Sequence, residues 1–429
     1  MFGFANFLLL ALFAAAVFDL IFALARGGGL RGALHGLWNT PHLLFGQQLA
    51  EWRLQLGRIL FAAGLAAYEI SVVFCNSMAR QNWAWVQGVM SPVLEWLAFL
   101  CFGAKILFGT RYTWRELLAG GALYFIARWV YFNSQNIWWI GIVVAVLAAK
   151  DVPLRRPLQV YFASGCAAMA VVLALHFAGI VAPDLTSERM VALRGTYGYG
   201  HPNTFGGLVF GLVLAYALLR AQKVRWVDCL LVFAIGVFLL VGPASRSAAL
   251  CTLALAVGLV FCRLRAGHSV PRWWPGTCAG MVGLTAAVSY LLPLLVIKVG
   301  PWNNDIGPAW LAKLDSLLTC RISLTWMAYR LLDVKIAGQV FNWPTVDNSF
   351  AFALFQFGPV VAALLGILFA AALWGHAKQG RRVEVCCLFA MLAYAYMEVQ
   401  PFHLTTNPTA LLLCGAVFAQ TSARWQKIE

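Results

Sequence analysis

Long apolar runs separated by short polar segments recur along almost the whole chain. An α-helix that crosses a hydrocarbon core of about 30 Å needs about 20 apolar residues. About thirteen runs approach that length, at roughly 2–25, 59–77, 92–109, 117–132, 137–149, 159–182, 204–219, 227–242, 247–262, 278–297, 350–373, 384–399 and 408–420. The pattern therefore predicts an all-α polytopic membrane protein, with residues 1–429 forming a single integral membrane domain of about 12–13 transmembrane helices.

Composition supports this class. Hydrophobic residues make up 62% of the chain and charged residues only 11%, which excludes a soluble domain. The first run, 2–25, has no basic segment before it and no clear small-residue cleavage site, so we predict that it is not a cleaved signal. If it lies at the interface, the count is twelve and the N-terminus is cytoplasmic. The 11 cysteines show no metal-ligand spacing, and neither a metal nor a cofactor is predicted.

The net charge of +15 is distributed as a topology signal. Sorted by alternate loops, 21 Lys and Arg residues fall on one side and nine on the other, with Arg128 inside a span. The positive-inside rule places the larger set, and with it the C-terminus, in the cytoplasm. No nucleic-acid partner is predicted. Residues 298–349 become the one long extracytoplasmic loop, in which the apolar spacing of Ile322, Trp326 and Tyr329 predicts a short amphipathic helix.

Polar residues collect where spans begin on the outer side. They are Asn203-Thr204, Ser245-Arg246-Ser247, Asp347-Asn348-Ser349 and Asn407-Pro408. Such residues favour helix N-termini, which attract anions. Each site taken alone fits simple capping; their common side suggests an anion-binding rim that includes Asn203, Asp347 and Asn348.

Arginines strengthen that interpretation. Arg194, Arg246 and Arg321 lie on the predicted outer side, and the planar guanidinium suits phosphate. Salt bridges to Asp184, Asp315 or Asp347 are the alternative. Arg128 is a further substrate-binding candidate because charge inside a span is expensive, although a structural pair with Glu69 or Glu95 would also explain it.

Only two of the seven histidines, His201 and His403, fall on the predicted outer side. A group that titrates near neutrality can deprotonate a sugar hydroxyl. We favour His403 as the base, with Glu398 orienting it or acting in its place. His201, in a glycine-rich turn beside Arg194, fits either a donor site or a backbone cap.

Taken together, these residues resemble a known family, the Wzy-type polysaccharide polymerases of the O-antigen polymerase and ligase superfamily. The resemblance is strongest to the polymerases of Gram-positive capsule and exopolysaccharide synthesis. The resemblance covers about 159–420, the polymerase- or ligase-like core. Cys320 departs from it where Gly is common, and Pro408-Thr409 where Pro-Phe is common. The matching elements, in order, are Arg194 with Gly200-His201-Pro202-Asn203-Thr204-Phe205-Gly206, Ser245-Arg246-Ser247, Leu314-Asp315-Ser316-Leu317-Leu318-Thr319-Cys320-Arg321-Ile322, Val346-Asp347-Asn348-Ser349-Phe350 with Gly358, and Glu398 with His403 and Asn407-Pro408.

The resemblance implies a multi-pass enzyme of a bacterial cytoplasmic membrane that joins undecaprenyl-pyrophosphate-linked oligosaccharide units at the outer leaflet. It implies neither a nucleotide sugar nor a metal. Membrane lipid is an expected partner, and a chain-length regulator and a flippase are candidate protein partners. Two alternatives stay open: a ligase that moves a glycan onto another acceptor, and a lipid-linked oligosaccharide flippase or other transporter without catalysis. Few charges lie within the spans, which favours an enzyme.

Overall fold

A computed structural model describes residues 2–25, 30–181, 195–296 and 308–418 as a helical protein. Its one two-stranded sheet pairs β1 (His42–Leu43) antiparallel with β2 (Arg111–Tyr112). The helices are α1 (Phe2–Ala25), α2 (Leu30–Asn39), α3 (Ala50–Cys75), α4 (Ala79–Asn82), α5 (Ser91–Phe108), α6 (Trp114–Ser134), α7 (Ile137–Ala148), α8 (Arg155–Phe177), α9 (Pro202–Leu219), α10 (Trp226–Val241), α11 (Arg246–Leu264), α12 (Trp274–Leu291), α13 (Ala309–Leu317), α14 (Arg321–Leu331), α15 (Ser349–Phe352), α16 (Pro359–Lys378), α17 (Arg382–Met397) and α18 (Cys414–Val417). Short 3₁₀ segments cover Leu292–Leu295, Gln400–Phe402 and Pro408–Leu413, and π-helical segments cover Val86–Met90 and Ala353–Phe357.

The all-α membrane class is confirmed. Each predicted span overlaps helical structure, although 350–373 is interrupted at Gly358. Eight helical stretches within the described ranges are long and apolar enough to cross a membrane, against the 12–13 predicted. Three shorter apolar helices accompany them, at Ile137–Ala148, Trp226–Val241 and Pro408–Val417. Large apolar side chains are exposed on the surface of the helix bundle. On α10, for example, Val227, Leu230 and Val241 are 70%, 67% and 76% exposed. Such a surface is favourable in contact with lipid.

One helix begins earlier than predicted, and the helix predicted within the long loop is present. The span predicted at 59–77 belongs to a longer helix, since α3 begins at Ala50 and includes the more polar residues 50–58. The amphipathic helix predicted around Ile322–Tyr329 is present as α14. Residues 298–307 of the long predicted loop lie outside the described chain.

Helix α9 is the most buried of the eight long apolar helices in the described chain. Of the apolar window in α9, 67% is buried, against 22% in α1. Two glycines allow close packing on it: a Cβ at Gly207 would lie 1.9 Å from Gln400 Oε1, and one at Gly211 would lie 2.4 Å from the Thr405 carbonyl oxygen. The chain that follows α17 therefore packs directly on α9.

Replacing Gly211 with Ala should destabilise the protein by about 1–3 kcal/mol, because a backbone carbonyl cannot move aside for the new methyl group. Thermal unfolding of the purified protein in detergent measures this. Gly283→Ala in α12 is the matched control, since nothing lies within 4 Å of a Cβ there, and it should be neutral or stabilising. Equal midpoints for the two variants would contradict the packing argument.

Candidate functional site

A buried carboxylate lies at the centre of the site. Glu398 directly follows α17 in an extended conformation, and only 5% of its surface is exposed. Its Oε1 accepts hydrogen bonds from Arg321 Nη2 at 2.5 Å, Ser247 Oγ at 2.9 Å and Asn203 Nδ2 at 3.1 Å. These donors stand in the first turns of α14, α11 and α9. Four segments that are distant in sequence therefore meet at one oxygen, and we call these four residues the Glu398 cluster.

Opposing effects act on the Glu398 carboxyl. Burial raises its pKa above the ordinary value and the Asp347 charge adds to this, while the Arg321 charge and the Ser247 hydrogen bond lower it. Three donors directed at one oxygen favour the ionised form. We therefore describe Glu398 as a carboxylate in a buried ion pair with Arg321.

Arg321 is held by the protein through all of its N–H groups. A guanidinium offers five N–H donors. Besides Glu398, the acceptors are the carbonyl oxygens of Leu318 and Met397 and the hydroxyl groups of Thr319 and Ser247. A direct fork-like contact to phosphate, as predicted from the sequence, would have to break these bonds. In this structure Arg321 thus contributes positive charge and positioning, with no free pair of donors.

The turn before α14 aims Arg321 at the carboxylate. Thr319 and Cys320 have φ values of 55° and 64°, the left-handed region that favours glycine. Glycine would adopt the backbone conformation of Cys320 more readily than cysteine does. Asp315 is fully buried, and its Oδ1 accepts from the N–H groups of Ile322 at 2.7 Å and Ser323 at 3.1 Å. Asp315 therefore stabilises the N-terminus of α14; it does not form the salt bridge considered from the sequence.

Asp347 borders the Glu398 cluster. It is half-buried and makes no hydrogen bond within the described residues. Burial raises the pKa of its carboxyl, and the charges of Arg321 and His201 lower it. Two residues later, Ser349 Oγ donates to the Glu398 carbonyl oxygen at 2.5 Å, which ties this segment to the cluster. Asp347 is thus a carboxylate next to a buried cation, with its hydrogen-bonding capacity unused by the described chain.

Asn348 has a structural role. Its Oδ1 accepts from the N–H groups of Phe350 at 2.9 Å and Ala351 at 3.1 Å, capping α15, and its Nδ2 donates to Ser289 Oγ at 3.1 Å. The predicted substrate contact would compete with these bonds. The capping alternative describes Asn348 better.

His201, and not Asn203, caps α9. Its Nδ1 accepts from the Asn203 N–H at 3.1 Å, and the ring is exposed. This leaves the Asn203 side chain free to donate to Glu398, with Ser245 Oγ 3.4 Å from its Oδ1. Gln400 Nε2 donates to the Asn203 carbonyl oxygen at 3.3 Å. The glycine-rich segment thus positions Asn203 and places an exposed imidazole at the helix start.

His403 has a different environment from the one predicted. Its ring lies against Trp138, with 3.7 Å between ring centroids, and makes no hydrogen bond within the described residues. Burial lowers the pKa of His403 to about 3, so the imidazole is neutral and weakly basic at physiological pH. Nor does its side chain hydrogen-bond to Glu398 in the described structure. These features are unfavourable for the general base that we predicted here.

Neither Arg246 nor Arg128 belongs to the Glu398 cluster. Arg246 is the first residue of α11, between Ser245 and Ser247, and is exposed. Arg194 lies outside the described residues. Arg128 donates to Asn6 at 2.8 Å and lies over the Phe132 ring at 4.5 Å. The bond to Asn6 joins α6 to α1, so the structural alternative for Arg128 is favoured, with a partner other than Glu69 or Glu95.

Sequence reasoning did not single out Gln400 or Tyr394, and it named Ser247 and Ser349 only as parts of polar span starts. Ser247 and Ser349 are neighbours of predicted site residues at the starts of spans, and this position could have identified them as site residues. Tyr394 Oη donates to Gln400 Oε1 at 2.7 Å, a contact that no local pattern announces. Within the described ranges, no group of three or more His, Cys, Asp or Glu side chains could hold a metal ion.

A scan against protein-family models finds no match, and searches among curated proteins and solved structures find no similar protein. Function therefore has to be argued from the chemistry of the site itself.

Proposed function

We propose that this protein is a membrane glycosyltransferase that polymerises lipid-pyrophosphate-linked oligosaccharide units at the outer membrane surface. The single observation that supports it best is the Glu398 cluster with Asp347 beside it. A buried Arg–Glu pair is expensive to assemble and is weak evidence for stability alone. The pair lies where the ends of α9, α11, α14 and α17 meet, next to the Asp347 carboxylate, which makes no hydrogen bond within the described residues. A reaction site needs such an arrangement, whereas a simple connection between helices does not.

The chemistry assigns each group a step. An acceptor sugar hydroxyl gives its proton to the Asp347 carboxylate while its oxygen bonds to the anomeric carbon of the donor. The bond from that carbon to the pyrophosphate breaks, and the lipid pyrophosphate leaves with the electron pair. The buried Arg321 charge keeps Asp347 ionised before the step, and Glu398 holds Arg321 in place.

The leaving group needs its own cations. Arg246 is exposed at the start of α11, where the helix N-terminus also favours an anion. On the evidence of the sequence alone, Arg194 is assigned to the same leaving-group site. Asp347, in place of His403, is then the proposed base, and His201 borders the donor position.

The outer location rests on the charge distribution and the helix directions. Helices α9 and α11 begin at the Glu398 cluster, and α17 ends there. Their other ends carry Arg220, Arg263 and Arg382, which belong to the predicted cytoplasmic set of 21. This arrangement supports a cluster on the side opposite the excess positive charge, where the proposed enzyme would join lipid-linked units.

Deletion of the gene in its host, followed by profiling of lipid-linked and surface glycans, tests the proposal. A polymerase deletion leaves single repeat units on the surface acceptor. Full-length chains that stay on the lipid carrier would instead indicate a ligase. Loss of all units from the outer leaflet would indicate a transporter. Complementation with the wild type and with the exposed-site control Asp333→Asn should restore long chains.

His403→Gln should polymerise at close to the wild-type rate, within about threefold, because Gln keeps a polar group of similar size against Trp138 and no basicity is lost that the reaction uses. Chain growth in membranes of the complemented deletion strain measures this. A loss of about a hundredfold or more in a well-folded variant would return the base to His403.

Arg246→Lys should reduce the polymerisation rate by about a hundredfold. Lysine keeps the charge but loses the bidentate fork, and one charged hydrogen bond contributes about 2–3 kcal/mol. The control is Arg330→Lys, at the far end of α14, where the guanidinium lies 5.5 Å from the Trp326 ring. Equal rates for both variants would show that Arg246 does not hold the leaving group.

A further inference from the structure

A second polar site lies at the opposite ends of the same helices. A cavity of about 790 Å³ opens where α9 and α11 end and where α8 and α17 begin. Since α9 has 18 residues, its two ends are about 27 Å apart. The cavity is therefore separate from the Glu398 cluster and independent of the proposed function.

The wall of the cavity is strongly cationic. Its single lining carboxylate is Glu384, and its lining cations are Arg155, Arg220, Lys223, Arg263, Arg381 and Arg382. Positive charge is expected on this side for topological reasons. The topology does not require six cations from four separate segments to surround one cavity. Like charges repel each other there, so this arrangement is unfavourable without a bound anion.

Two of these cations already have partners. Arg220 Nε lies 3.2 Å from both carboxylate oxygens of Asp228, and Arg382 Nη1 donates to the Arg265 carbonyl oxygen at 2.7 Å. The other four form neither a hydrogen bond nor an ion pair through their side chains within the described residues: Arg155, Lys223, Arg263 and Arg381. Of the four, Arg381 has the charge of Glu384 near it, and the other three would be complemented by a bound anion.

The floor of the cavity is apolar. The apolar lining residues Leu158, Leu218, Val383 and Leu412 are buried, whereas Arg155, Lys223 and Arg263 are exposed. A cationic rim over an apolar floor, at helix ends in a membrane protein, suits a phosphate group that carries an apolar tail. It suits a free phosphate less well, because the floor would stay uncovered.

We propose that this cavity binds the phosphate group of an anionic ligand, with an anionic phospholipid headgroup as its favoured source. Binding would place a negative charge among mutually repelling cations and join the ends of α8, α9, α11 and α17. Because only the folded protein holds these cations together, the ligand should also raise the unfolding temperature.

The test titrates purified full-length protein with phosphatidylglycerol and follows lipid binding by native mass spectrometry. The variant Arg155→Gln/Arg263→Gln removes two unpaired cations. Its matched control, Arg156→Gln/Arg265→Gln, removes two cations of the same predicted side that do not line the cavity. The cavity variant should bind at least about tenfold more weakly than the wild type and lose the thermal shift; the control should stay within about twofold.

A second arm identifies the source of the phosphate. Protein in nanodiscs of phosphatidylcholine alone is titrated with inorganic phosphate and pyrophosphate by calorimetry. Binding of these ions but not of phosphatidylglycerol, with the same dependence on Arg155 and Arg263, would support the site with a soluble ligand. Equal weakening in the cavity and control variants, or no binding of either probe, would overturn the proposal.

Discussion

Replacing Arg321 with Met should lower the stability of the folded protein by about 3–5 kcal/mol. The pair it forms with Glu398 is almost fully buried, with side chains 8% and 7% exposed. Without its partner, Glu398 would be an uncompensated buried charge, which is the expensive outcome of breaking such a pair. Four protein acceptors of the guanidinium would also lose their donor.

Thermal unfolding in a fixed detergent measures this loss, and a double variant separates its causes. Arg321→Met/Glu398→Gln removes both charges and should recover much of the stability, because neither charge is left unpaired. Arg330→Met, on an exposed position of the same helix, should change the midpoint little. An Arg321→Met midpoint equal to that of Arg330→Met would mean that the ion pair does not hold α14 against α17.

Asp347→Asn should abolish detectable chain growth, with a loss of about 10²–10⁴-fold, the contribution typical of a general base. Asn is nearly isosteric, and Asp347 makes no hydrogen bond within the described residues that folding would lose. The variant should therefore unfold at the wild-type temperature. Asp333→Asn, an exposed carboxylate between α14 and α15, is the matched control and should polymerise normally.

The pH dependence of chain growth gives a second measure of Asp347. Burial raises the pKa of its carboxyl above the ordinary Asp value, and only the ionised form accepts a proton. The rate should therefore rise as pH increases through that raised pKa and fall as pH decreases through it. A rate that does not change across the acid range, or an active Asp347→Asn variant, would exclude Asp347 as the base.

The fold class and the chain segments of the site could be predicted from local pattern. Apolar length is a property of consecutive residues, so each predicted span overlaps helical structure. Polar residues at span starts and ends are equally visible, which is why Asn203, Arg321, Asp347 and Glu398 were chosen. Helix ends were less predictable: residues 50–58 continue α3 because backbone hydrogen bonding does not stop where apolar residues do.

What each polar residue contacts was decided by tertiary packing. The amino-acid pattern alone predicts an all-α membrane protein and its polar segments, but it favours His403 over Glu398 as the base and assigns Arg321 to phosphate. Only the folded chain brings Arg321, Ser247 and Asn203 to one oxygen and places His403 against Trp138. The reason is physical. Hydrogen bonds and pKa shifts depend on distances between segments that are far apart in the chain. Close packing at the glycines of α9 helps to set these distances, and no local sequence pattern encodes them.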